Sequence, residues 1–133
     1  MGEVFGMGFF RKRKEQPVDL EERSPQLGVK YKDLLVMNQL MQAGADVSQP
    51  RHVIHFFYSR DIESAQALAA AVREQQGWET KVREPLPEYP GQWGVVCETH
   101  AVVTAEFVRD TGNLFDSLAA EYQAEYDGWE AAV

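Results

Sequence analysis

The side chains in this sequence best suited to metal chemistry are those of His55, Glu98 and His100. Glu98 and His100 are two positions apart in an apolar segment, so a β-strand there would direct both side chains to one face. His55 lies in a second apolar segment and could stand beside them in a sheet. Imidazole and carboxylate groups bind zinc, but the three residues lack the HExxH spacing that fixes ligands on one helix. A metal-binding or small-ligand module is therefore one hypothesis, and polar residues on a solvated sheet face are the alternative.

Nucleophilic catalysis and nucleotide binding have little support in the sequence. Cys97 lies within an apolar run and is expected to be a small buried residue, and Ser117 belongs to an acidic segment without a nearby base. The segment Gly91–Gly94 lies in an expected hairpin, whereas a glycine-rich phosphate loop precedes a helix. We therefore expect no catalytic residues, no cofactor and a protein that is not an enzyme.

The charge of the chain is unevenly distributed. Its formal net charge is −8, yet residues 1–29 carry five basic and five acidic side chains, so residues 30–133 hold the whole excess. From Thr104 onward seven acidic residues are accompanied by one basic residue, Arg109. The one cluster of lysine and arginine is Arg11–Lys14, and nucleic-acid binding requires such clusters to neutralise phosphates. Residues 30–133 are therefore expected to bind a basic protein rather than nucleic acid.

The acidic C-terminal segment also contains two large aromatic residues, Tyr126 and Trp129, on either side of an expected Asp-Gly turn. Tyrosine and tryptophan often anchor protein interfaces, and surrounding carboxylates supply electrostatic complementarity. The alternative is that the end of the chain folds Trp129 back onto the core. The residues predicted to bind a partner are Glu121, Glu125, Tyr126, Asp127, Trp129 and Glu130.

Apolar periodicity outlines the elements that would position these side chains. Helices are expected from Tyr31 to Met41, from Ile62 to Val72 and after Thr104, and strands at His52–Ser59, Trp78–Arg83, Trp93–Ala101 and Trp129–Val133. A bend is expected at Gly112 in the last helix. This order predicts an α+β fold, a ferredoxin-like αβαββα(β) domain whose antiparallel sheet is covered by helices on one face.

A chain of 133 residues is long enough for one domain and too short for two. Residues 1–29 lack periodicity and contain two prolines, so we expect a flexible N-terminal extension before a domain at 30–133. The last strand is expected to be short, which would leave the edge of His52–Ser59 poorly covered. Because an uncovered edge offers free N–H and C=O groups, a self-associating structural domain is a further hypothesis.

The sequence shows no segment that would direct the chain to a membrane. No apolar stretch reaches the roughly 18 residues of a transmembrane helix, and the opening residues lack the order of a signal peptide. We therefore expect no membrane contact and a cytoplasmic location.

Four motifs, spread along the chain from Tyr31 onward, are shared with a known family. They are the turn Ala43–Asp46, the strand opening Pro50–Val53, the small-residue helix Ala65–Val72 and the closing Glu125–Trp129. Together they resemble the RraB family, bacterial regulators of ribonuclease E activity. The resemblance implies a ferredoxin-like domain without catalytic residues, which binds the scaffold region of ribonuclease E and alters which RNAs are cleaved.

This chain departs from the family pattern at both ends. It stops soon after the closing motif, where better-known members continue into a longer strand and an acidic tail, and it begins with a basic, proline-containing extension. A shared fold does not guarantee a shared partner, so ribonuclease E is carried over by analogy.

Overall fold

The computed structural model of this chain describes residues 19–133. These residues form three α-helices and four β-strands. The elements are α1 (Tyr31–Gln42), β1 (Arg51–Ser59), α2 (Ile62–Arg73), β2 (Glu79–Arg83), β3 (Trp93–Ala101), α3 (Ala105–Glu121) and β4 (Glu125–Ala131).

The four strands make a single antiparallel sheet in the order β2-β3-β1-β4. β1 is central, because it pairs with β3 on one side and β4 on the other. Its side chains alternate strictly: Val53, His55 and Phe57 are buried, while the residues between them are only partly buried. The helices pack against the buried side, which confirms the predicted ferredoxin-like α+β fold.

A side-chain cap begins each of the helices α2 and α3. The carboxylate of Asp61 accepts a hydrogen bond from the Ser64 backbone N–H at 2.7 Å. The hydroxyl of Thr104 accepts one from the Phe107 N–H at 3.0 Å. Each cap satisfies a backbone donor that has no partner within the first turn of the helix. α3 then continues without interruption through Gly112, where a bend was expected.

The core divides into two clusters on the helical side of the sheet. The larger joins α2 and α3 to the sheet through fully buried residues such as Leu68, Val95 and Phe115, and the smaller joins α1 to Val53. Cys97 belongs to the larger cluster, where burial raises the pKa of its thiol to about 12. The thiol is therefore protonated and inert at neutral pH, as expected for a small buried residue.

The final strand is longer than expected and begins earlier. β4 spans seven residues and pairs with β1 from Val53 to Tyr58, with a change of register between Phe56 and Phe57. The expected Asp-Gly turn lies inside this strand, where Gly128 takes a φ of +102° that glycine adopts readily. The edge of β1 is therefore covered, and the prediction that this edge is poorly covered is wrong. The strands at the edges of the sheet are β2 and β4.

Residues 19–29 pack on the domain, although the sequence predicts them to be part of a flexible extension. Val29 is fully buried beside α1 and α3, and the Arg23 guanidinium donates hydrogen bonds to the carbonyl of Gly28 and to Asn113 Oδ1. The Lys30 ammonium lies 2.7 Å from the Asp116 carboxylate of α3. The folded region therefore includes residues before Lys30. The rest of the predicted extension, 1–18, lies outside the described residues.

Replacing Val29 by alanine tests this packing. Because Val29 is fully buried, the change should lower the free energy of unfolding by about 2 kcal/mol through lost burial and a small cavity. Val47→Ala is the matched control, since Val47 is 43% exposed and its truncation should cost less than about 0.5 kcal/mol. Urea unfolding measures the free energy of unfolding of both variants. If the two substitutions lower it equally, residues 19–29 are not part of the folded unit.

Candidate functional site

The six residues predicted to bind a partner do not share one environment. Glu125, Asp127 and Glu130 are exposed along β4, and Glu121 is exposed at the end of α3. Tyr126 and Trp129 point to the other side of β4, toward the helices. Any partner that binds β4 from solvent therefore meets the acidic residues first.

The side chain of Trp129 is tied to α1. Its indole N–H donates a hydrogen bond to Oδ1 of Asp33 at 2.9 Å, and its ring packs in the smaller cluster near Leu34 and Met37. Asp33 is buried, and desolvation raises the pKa of its carboxyl, although the Trp129 hydrogen bond acts in the opposite direction. This is the arrangement in which the end of the chain folds back onto the core.

The side chain of Tyr126 reaches a buried histidine. Its hydroxyl oxygen lies 2.6 Å from Nδ1 of His55, and the His55 ring is surrounded by those of Trp78, Phe115, Tyr126 and Trp129. His55 is 3% exposed, and this burial lowers the pKa of its imidazole to about 3. The ring is therefore neutral at physiological pH and belongs to the core.

The metal site suggested by the sequence does not form. His55 pairs with Cys97 on β3 and faces the helices, whereas Glu98 and His100 lie on the opposite face of the sheet. The prediction that His55 joins them is therefore wrong. Across residues 19–133 there is no group of three histidine, cysteine or acidic residues placed to hold a metal ion.

Glu98 instead has a different histidine as its neighbour. Nε2 of His52 lies 2.8 Å from Oε1 of Glu98, and the Lys81 ammonium lies 3.6 Å from the other carboxylate oxygen. The hydrogen bond from His52 and the charge of Lys81 lower the pKa of this carboxyl. The His100 ring is 5.2 Å from that of His52. This polar group fits the solvated sheet face that was the alternative to a metal site.

The side of the sheet that carries no helix from residues 19–133 has a groove that the sequence analysis did not predict. We call it the open-face groove; it has a volume of about 490 Å³ and lies between the sheet and the loop 84–92. The strands contribute apolar groups to it, among them Phe56, Tyr58 and Val96, and the loop contributes Leu86 and Tyr89. The sequence of β1 contains a signal that could have indicated this groove: the strand is apolar on both faces, while the predicted helices cover only one face of the sheet.

The charged residues around the open-face groove are mostly acidic. Glu84, Glu125 and Asp127 line it, together with one basic residue, Arg83. Two of the predicted partner-binding acids on β4 are thus brought beside the half-buried apolar side chains of β1. Glu130 lies farther along β4, and Glu121 belongs to a helix; neither lines the groove.

Residues 19–133 thus define an α+β domain whose described helices lie on one side of the sheet, with a buried aromatic core and an acidic, partly apolar surface on the other side. Residues 32–131 match the family described as RraB, regulator of ribonuclease activity B. Because this match covers more than half of the chain, the protein belongs to the RraB family, as the sequence motifs indicate. No curated protein sequence matches the chain significantly.

The family description gives the protein a regulatory role in ribonuclease activity. A regulatory family agrees with the expectation of a non-catalytic protein. Within residues 19–133, each helix is too short or too polar to cross a membrane.

Proposed function

We propose that this protein regulates a ribonuclease in the cytoplasm by binding another protein, without catalysis of its own, and that the scaffold region of ribonuclease E is its first candidate partner. The observation that carries the proposal is the row of exposed carboxylates on β4, at Glu125, Asp127 and Glu130. Membership of a family described as regulating ribonuclease activity supports the same role.

The structure of β4 explains how these carboxylates could serve recognition. Pairing with β1 fixes the backbone of the strand, and the inward side chains of Tyr126 and Trp129 hold it on the core. The acidic side chains therefore project from a backbone that is already ordered, so binding orders side chains and no further backbone. Exposed complementary charges mainly accelerate association and set the choice of partner. A basic protein segment suits this surface, while the phosphates of RNA would be repelled.

Charge reversal on β4 tests the proposal with purified full chain and the purified scaffold region of ribonuclease E. Changing Glu125→Lys together with Glu130→Lys should weaken binding by about tenfold, mainly by slowing association. The wild-type interaction should also weaken with added salt, because exposed charges are screened over about 8 Å at physiological ionic strength. Surface plasmon resonance measures the association and dissociation rates.

The matched control is Glu63→Lys together with Glu74→Lys, which changes the net charge equally at exposed positions in α2 and at its C-terminal cap, on the helical side of the sheet. This control should bind like the wild type. Absence of binding by the wild-type chain would contradict ribonuclease E as the partner. Binding that is indifferent to salt and to the β4 reversals would contradict the acidic surface as the site.

A further inference from the structure

We infer that the open-face groove binds an extended protein segment in which one large apolar side chain is flanked by lysine or arginine. The inference rests on the proposed function, because it specifies the kind of segment that the regulated partner would present. It places the contact beside β4, between the sheet and the loop 84–92, and not on β4 alone.

The first argument is the apolar character of a sheet face that no described helix covers. Antiparallel sheets covered on one side usually alternate apolar residues inward with polar residues outward. Here the half-buried Phe56 and Tyr58 occupy outward positions of β1, and Val96, which is 5% exposed, lies beneath the groove on the outward side of the neighbouring β3. Contiguous apolar groups on an open face typically mark a site of interaction.

The loop supplies apolar side chains that have no cover in the described structure. Leu86 is 61% exposed and Tyr89 is 57% exposed, and both line the groove. Two successive turns hold them there: the Tyr89 N–H donates to the carbonyl of Leu86 at 2.9 Å, and the Gln92 N–H donates to that of Tyr89 at 3.1 Å. Three prolines in the segment fix further backbone angles. The wall of the groove is thus largely ordered before any partner arrives, which lowers the entropic cost of binding.

Size and charge then restrict the occupant. A volume of about 490 Å³ lies within the range of small binding pockets and accommodates one large side chain with its backbone. Glu84 on the loop side and Glu125 and Asp127 on the β4 side place carboxylates at both margins, against Arg83 alone. Positive residues on either side of the inserted side chain would satisfy these carboxylates.

Binding of synthetic peptides to the full chain tests the inference by fluorescence anisotropy. The probe is a labelled peptide with a central tryptophan and lysines on both sides. Matched peptides carry alanine in place of the tryptophan, or glutamate in place of the lysines. Both changes should weaken binding by at least about tenfold, which corresponds to about 1.4 kcal/mol. Equal binding of the tryptophan and alanine peptides, or no binding of any peptide, would overturn the inference.

Variants of the loop locate the peptide. Leu86→Ala and Tyr89→Ala remove exposed side chains and should leave thermal stability unchanged, yet each should weaken binding of the tryptophan peptide by about tenfold. Met41→Ala is the control for Leu86→Ala, because both residues are 61% exposed and Met41 lies on α1. It should bind like the wild type, and loop variants that also do so would refute the groove.

The proposed function and this inference can fail separately. If the loop variants still bind the peptide and the β4 charge reversal abolishes binding of ribonuclease E, the groove is not the peptide site and the proposed function stands. If the peptide binds at the groove and the scaffold region of ribonuclease E does not bind at all, the groove stands as a peptide site and ribonuclease E fails as the partner. Sedimentation adds a last outcome: a wild-type dimer that Tyr89→Ala dissociates would assign the groove to a second copy of this chain and overturn the inference.

Discussion

Acidification from neutral pH to about pH 3 should destabilise this domain by about 4 kcal/mol through His55 alone. Burial lowers the pKa of this imidazole to about 3 in the folded protein, while in the unfolded chain it titrates near 6.5. Between these values the unfolded chain binds a proton that the folded protein does not. Stability from this group is therefore fully present above about pH 6.5 and is lost as the pH falls.

Urea unfolding over this pH range measures the effect in the wild type and in His55→Leu. Carboxyl groups whose pKa is lowered, such as those of Glu21 and Glu98, also contribute less to stability in acid. The informative quantity is therefore the difference in free energy of unfolding between the wild type and His55→Leu at each pH. His55→Leu should show a flatter decline whatever its stability at neutral pH. Tyr126→Phe is the control, because it removes the hydroxyl beside Nδ1 and keeps the histidine. If His55→Leu declines as steeply as the wild type, His55 is not the buried neutral group described above.

Trp129→Ala should lower the free energy of unfolding by about 3 kcal/mol or more. The change removes a large ring from the smaller core cluster and leaves the buried Asp33 carboxylate without its indole donor. Trp129→Phe retains an aromatic ring but loses the donor and part of the indole's volume, so it should cost less than the alanine change, about 1–3 kcal/mol. Thermal or urea unfolding of the two variants compares loss of the whole ring with loss of the donor and part of the ring.

Partner binding by the folded fraction distinguishes a core residue from an interface anchor. Corrected for unfolded protein, Trp129→Phe should bind the ribonuclease E scaffold with nearly the wild-type affinity. A variant that melts like the wild type and loses about 2 kcal/mol or more of binding would show that Trp129 inserts into the partner.

Local signals in the sequence predict most of the framework correctly. Asp61 and Thr104 begin helices because their side chains can accept from the backbone two or three positions ahead. Leu68 and Val95 are fully buried, and they lie in segments whose apolar pattern predicts a helix and a strand, because such a pattern depends only on the residues of one element. These features require no knowledge of how distant segments meet.

The errors concern features that only tertiary contacts decide. Every residue of Val53–Tyr58 is apolar or aromatic apart from His55, so the sequence did not show which side of β1 that histidine would face. The start of β4 was missed because Glu125 and Asp127 are poor strand formers, and pairing with β1 overrides that preference. Val29 has no periodic neighbours, and its burial depends on α1 and α3. The open-face groove likewise requires a loop and residues of all four strands to meet.

The bulge in β4 also bears on the behaviour of this protein at high concentration. An edge strand with free backbone groups is a template for adding another chain, and regular, uncharged edges promote aggregation. The register shift and Gly128 interrupt this edge, and the carboxylates of Glu125, Asp127 and Glu130 would repel one another in a stack of copies. The strand can therefore display its side chains to a partner while its backbone resists fibril growth.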